Sequence, residues 1–149
     1  MKIETSDIYR SIRQLLEKTF PDITVQIKDI KNPLPPCFYI KYVTDTSLQI
    51  ASEYSNDSYV FDVIYFSELQ TLQDLISVEK ILKKIFSKPL KIAIDNSVQY
   101  QEIDSVSINF NENDYIINCT LNISLDQKSD TQNRYNEYDN EEFMDDLEI

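Results

Sequence analysis

Tyr59-Val60-Phe61-Asp62-Val63-Ile64-Tyr65-Phe66 is the stretch that decides the fold. Eight consecutive residues, dominated by aromatic and β-branched side chains and without proline, read as a strand. Alternation puts Asp62 on the face of Val60 and Ile64, where a carboxylate must be paired or reach water. A structural hydrogen bond or a subunit contact is the expected role. Upstream, residues 48–54 form another strand run, separated from the first by Ser55-Asn56-Asp57-Ser58. Those four side chains bond their own backbone in tight turns, so a hairpin is expected with its turn at 55–58.

Further upstream, Cys37-Phe38-Tyr39-Ile40-Lys41-Tyr42-Val43 reads as a strand, entered from a stiff linker at Lys31-Asn32-Pro33-Leu34-Pro35-Pro36. Before it, Ile23, Val25 and Ile27 alternate with Thr24, Gln26 and Lys28 in the pattern of a half-buried strand. Ile8, Ile12, Leu15, Leu16 and Phe20 mark one stripe of a first helix, capped by Thr5 or Ser6 and stopped by Pro21-Asp22. A second helix spans about 71–86, with Leu75, Val78, Leu82 and Ile85 inward and Lys80, Lys83 and Lys84 near its negative end. Beyond Lys88-Pro89 come short strands at 90–94 and 98–103. A second hairpin follows, with strands at 106–110 and 115–125 around Asn111-Glu112-Asn113-Asp114. Strand runs outnumber helices and occur mainly as adjacent pairs. The expected class is α+β, a mainly antiparallel sheet with two principal helices packed on one face.

Composition excludes more chemistry than it suggests. The chain of 149 residues has no Gly, no His and no Trp. Without glycine there is no phosphate-cradling loop and no dinucleotide fingerprint. Without histidine the Ser-His and Cys-His dyads and the commonest zinc ligand are missing. The carboxylate sets that resemble catalytic fragments, Asp22 with Lys28, Asp29 with Lys31, and Glu102 with Asp104, are ordinary in so acidic a chain. No catalytic, cofactor-binding or metal site is assigned, and no enzyme activity is expected. Cys37 and Cys119 each lie in an apolar strand run and read as buried, reduced thiols. Tyr39, Tyr42, Tyr59 and Tyr65 also lie in strand runs, but without interleaved cations they read as core and interface.

The net charge of −12 disfavours wrapping nucleic acid, because such affinity comes from cations displacing phosphate counterions. No stretch approaches 18 uncharged apolar residues, and the opening residues lack the pattern of a leader. A soluble protein made in a cytoplasm is therefore expected, with no membrane partner. Half of the charge excess falls in residues 127–149, where eight carboxylates oppose Lys128 and Arg134. The expected division is an α+β domain over 1–126 and an acidic arm over 127–149, largely disordered when free. The arm ends on Phe143-Met144-Asp145-Asp146-Leu147-Glu148-Ile149, whose Phe143, Met144, Leu147 and Ile149 are candidate partner-docking residues.

Four patterns in order complete the reading: the Ile8-Tyr9 helix closing on Phe20-Pro21-Asp22-Ile23, the Pro36-Cys37-Phe38-Tyr39-Ile40 strand, the strand from Tyr59 to Phe66, and the Met144…Leu147 ending. In that order the chain resembles the tail terminator proteins of Gram-positive phages, prophages and phage-tail-like bacteriocins. The resemblance implies a structural protein forming a hexameric ring on the last ring of the tail tube. Such a ring stops tube growth, and sheath growth in contractile particles, and joins the tail to the head connector or collar. It further implies assembly in the bacterial host cytoplasm and a place in the neck of the virion. Another connector or tail-completion protein is a near neighbour of that reading. An acidic inhibitor that mimics nucleic acid is the alternative from a different class, but it needs carboxylates spread over the folded surface.

Overall fold

A computed structural model describes residues 2–27 and 32–128. Helix α1, Thr5–Thr19, presents Ile8, Ile12 and Leu16 to the core, following the expected stripe. Its cap lies one residue earlier than expected. Glu4 occupies the N-cap, and its backbone N–H donates to the Asp7 carboxylate at 2.9 Å, which places Thr5 and Ser6 in the first turn. Helix α2, Leu72–Phe86, starts where Thr71 accepts from the Asp74 N–H, and buries Leu75, Val78, Leu82 and Phe86.

The strands are β1 (Thr24–Gln26), β2 (Cys37–Ala51), β3 (Tyr54–Phe66), β4 (Leu90–Ile94), β5 (Ser97–Gln101), β6 (Ser105–Asn111) and β7 (Ile116–Lys128). Five form the main sheet in the order β1-β2-β3-β7-β6, and β4 and β5 form a separate hairpin. Every pairing is antiparallel except β1 with β2. The fold is thus α+β, as expected. Along β3 and β7, Phe61, Val63, Tyr65, Ile117, Cys119 and Leu121 point into one core with both helices. β1 is shorter than the alternation implies, and Ile27 lies outside it, 58% exposed.

The turn of the long hairpin is displaced from its expected place. It lies at Ser52-Glu53, and residues 55–58 are strand, with Ser55 paired to Gln49 and Asp57 to Ser47. The physical reason is that these turn-forming side chains find partners across the sheet instead of on their own backbone. Across the sheet, Ser47 donates to Asp57 Oδ1 at 2.5 Å and Asn56 Nδ2 donates to Asp126 Oδ1 at 2.9 Å, while Ser55 donates to Asp57 Oδ1 at 3.2 Å along its own strand. The first two residues assigned to the expected arm belong to the sheet instead. Gln127 and Lys128 continue β7 opposite Ser55 and Tyr54, and Gln127 is buried. The remaining residues of that arm, with Phe143, Met144, Leu147 and Ile149, lie outside the described residues.

Candidate assembly surfaces

β2 changes character along its length. Cys37, Phe38 and Ile40 are buried, whereas every residue from 41 to 51 is exposed. β1 covers the outer edge of β2 only as far as Tyr39, so among the described residues no strand pairs the outer edge at 40–51. Unpaired N–H and C=O groups on so long an edge are a template for another strand. Leu48, Ile50 and Tyr54, near the hairpin tip, are 66%, 53% and 47% exposed. β6 is the opposite edge of the same sheet.

The sheet face away from the helices is a ladder of amides and hydroxyls. Asn56 donates to Ser124, Asn122 donates to Ser105 at 2.9 Å, and Thr120 donates to Asp62 at 2.7 Å. Asp62 is therefore hydrogen-bonded and lies directly opposite Lys41. Asp126 accepts from Asn56 on this same face, which is polar but nearly neutral. Towards the other end, Tyr39, Ile64 and Phe66 supply an apolar margin.

Where the helix-covered core gives way to the hairpin, a buried polar knot closes the structure. Gln127 Nε2 donates to Asp57 Oδ2 at 2.6 Å and to the Ile3 carbonyl at 3.0 Å, and its Oε1 accepts from the Ile3 N–H. Tyr59 donates its hydroxyl to the same carbonyl at 3.2 Å. Burial pushes the Asp57 carboxyl up, but the bonds from Ser47, Gln127 and Ser55, helped by the charge of Lys2, outweigh it and hold it below the ordinary value. Burial, with Asp57 nearby, moves the Tyr59 hydroxyl up to about 12. The knot anchors three separate pieces of chain: the segment leading into α1 at Ile3, the hairpin and the end of β7. Its marker in the sequence is a polar residue at every second position, Ser55, Asp57 and Gln127, in phase with the apolar core positions.

Both cysteines are free and buried, matching the sequence reading, and desolvation moves the Cys119 thiol up to about 12, with Asp62 adding to the shift. Tyr59 and Tyr65 belong to the core, whereas Tyr42 is 43% exposed and meets Phe61 edge-on at 5.6 Å. Asp22, Glu102 and Asp104 are exposed. Lys28, Asp29 and Lys31 lie outside the described residues. Among the described residues no three Cys, Asp or Glu side chains converge on a point that could hold a metal ion. Nor, among them, is any helix long and apolar enough to cross a membrane.

No curated protein matches this chain. A chain in the structure of the virion of a native gene transfer agent particle is 9% identical, with TM-score 0.49, over 80% of this chain and 90% of that one. A family model described as phage tail terminator protein matches residues 7–135, most of the chain and all of it from α1 to the end of β7 apart from the first two residues of that helix. The chain therefore belongs to the phage tail terminator family, structural proteins of the virion tail rather than enzymes.

Proposed function

We propose that the protein closes into a ring, six-fold to match the tube, on the last ring of the tail tube, ends tube polymerisation there, and joins the tail to the head connector or collar. In a contractile particle the same ring ends the sheath. It assembles in the host cytoplasm and stays in the neck of the virion.

Family membership together with two sheet edges that no strand pairs among the described residues, β2 beyond Tyr39 and β6, carries this reading. β2 and β7 run one way, and β3 and β6 the other. A second copy continued in the plane of the sheet therefore sets its β6 antiparallel to the first copy's β2, the more stable pairing. The contact is head-to-tail, the class that closes into rings. Through its partners Asn122 and Val60, the start of β6 at Ser105 is level with Thr44, whereas the free edge runs on to residue 51. The pairing is thus staggered, as tilted strands in a closed sheet are.

The sheet face between those edges carries Asp62 and Asp126 against Lys41 and Lys128, amid neutral amides and hydroxyls. It offers DNA phosphates no net attraction, which suits a channel that genome must traverse without sticking. Isolated protein is expected not to retain double-stranded DNA even at low salt, and steeply salt-dependent binding would contradict this. The direct test adds the protein to polymerising tube protein and images the products. Short tubes with one ring at one end support the reading. Unchanged length distributions and bare ends refute it.

A further inference from the structure

Four of the chain's fourteen cationic side chains, Lys18, Lys84, Lys88 and Lys91, line a single groove of about 520 Å³. It lies where the last turns of α1 and α2 meet the start of β4, with Leu15 and Ile85 contributing apolar surface. Lys18 and Lys84 complement the negative ends of their helices. Lys88 and Lys91 lie beyond α2 and have no such role. All four are exposed, and among the described residues none has a carboxylate within ion-pair distance. In a chain of net charge −12, uncompensated cations gathered around an apolar surface call for a ligand that is acidic and apolar together.

The chain itself carries such a segment. Residues 143–149 hold Asp145, Asp146 and Glu148 among Phe143, Met144, Leu147 and Ile149. β7 ends at Lys128, so 14 residues separate it from Phe143. A flexible segment of that length has a root-mean-square span of about 20 Å. Ile3, just before α1, is bonded to Gln127, and α1 is about 22 Å long, so the groove lies roughly one such span from the chain's exit. We propose that the groove receives residues 143–149 of an adjacent copy of this chain. Donor and acceptor are different parts of the molecule, so the contact is heterologous and runs around a ring in one direction. This rests on the ring reading and names the surface that the terminal segment docks on.

Charge reversal and cross-linking test it in the full-length protein, alone and on tube ends. Lys84→Glu with Lys88→Glu is expected to weaken subunit association at least ten-fold without shifting the melting temperature. Asp145→Lys with Asp146→Lys is expected to do the same, and combining both pairs to restore association. In a mixture of isotopically light and heavy copies, Lys91→Cys with Met144→Cys should give light–heavy disulfides, Cys37 and Cys119 being buried. Rings that form normally with the reversed groove, a combination that fails to restore association, or links only within one copy each overturn the proposal and leave the ring reading standing. Wild-type protein that stays monomeric and leaves tube ends bare overturns the ring reading and the docking with it.

Discussion

The two halves of the long β2–β3 hairpin share two strands and one sheet, with the pairing slipping by one residue between Tyr42 and Thr44, yet they are built differently. Near the helices, the inward positions of β3 are Phe61, Val63 and Tyr65, each 5% exposed or less. Towards the tip, the same alternation continues as Tyr59, Asp57 and Ser55, buried but increasingly polar, while the facing part of β2 is wholly exposed. One half stabilises the subunit by removing apolar surface from water. The other is held by hydrogen bonds between side chains, and no strand among the described residues pairs its outer edge.

That contrast is broken most severely at the helix-covered end. Phe61→Ala removes a side chain with no exposed surface and should cost about 3–5 kcal/mol, read as a lowered urea midpoint. A cost as small as that of an exposed residue would show that this half is not the stabilising one. The knot between the halves is next. Gln127→Ala leaves the Ile3 N–H and Asp57 Oδ2 without the partner that Gln127 gives them, and about 1–3 kcal/mol should be lost. Deleting residues 129–149 should change stability by no more than about 0.5 kcal/mol.

The knot also has a pH signature. The folded Asp57 carboxyl is held below its ordinary value, so its contribution is present above about pH 4 and is lost as pH falls through the folded value. Wild-type protein should therefore lose more stability on acidification than Asp57→Asn, as read by melting temperature between neutral pH and pH 3.

Most of the scaffold is legible in the sequence because apolar spacing alone determines which face of an element turns inward. Ile8, Ile12 and Leu16 follow the helical repeat, and Phe61, Val63 and Tyr65 follow the strand repeat. The hairpin turn is not legible there. Ser55, Asn56, Asp57 and Ser58 have the chemistry of a turn, and only partners distant in sequence, Ser124, Asp126 and Gln127, show that they belong to a strand. The same long-range dependence conceals the role of Gln127, which reads locally as the first residue of a polar arm. The lysine groove is hidden for a related reason. Its members come from three elements, and Lys84 reads alone as a helix-end charge.

At the tip, Leu48→Glu with Ile50→Glu should leave stability within about 0.5 kcal/mol, because both side chains are more than half exposed, while weakening assembly. A stability loss like that of Phe61→Ala would erase the distinction between the halves. The smallest effect concerns a chain that makes its left-handed turns without glycine. Gln70 has φ 52°, and Gln70→Gly should raise stability by about 0.5 kcal/mol, the conformational relief slightly exceeding the added freedom of the unfolded chain.

The claim that the open half exists for assembly is tested most directly by native mass spectrometry of the purified protein, alone and mixed with tube protein. The expected result is a closed six-fold ring, free or on tube ends, that Leu48→Glu with Ile50→Glu disrupts. A subunit that remains strictly monomeric and never joins the tube, or a ring indifferent to those changes, would contradict it.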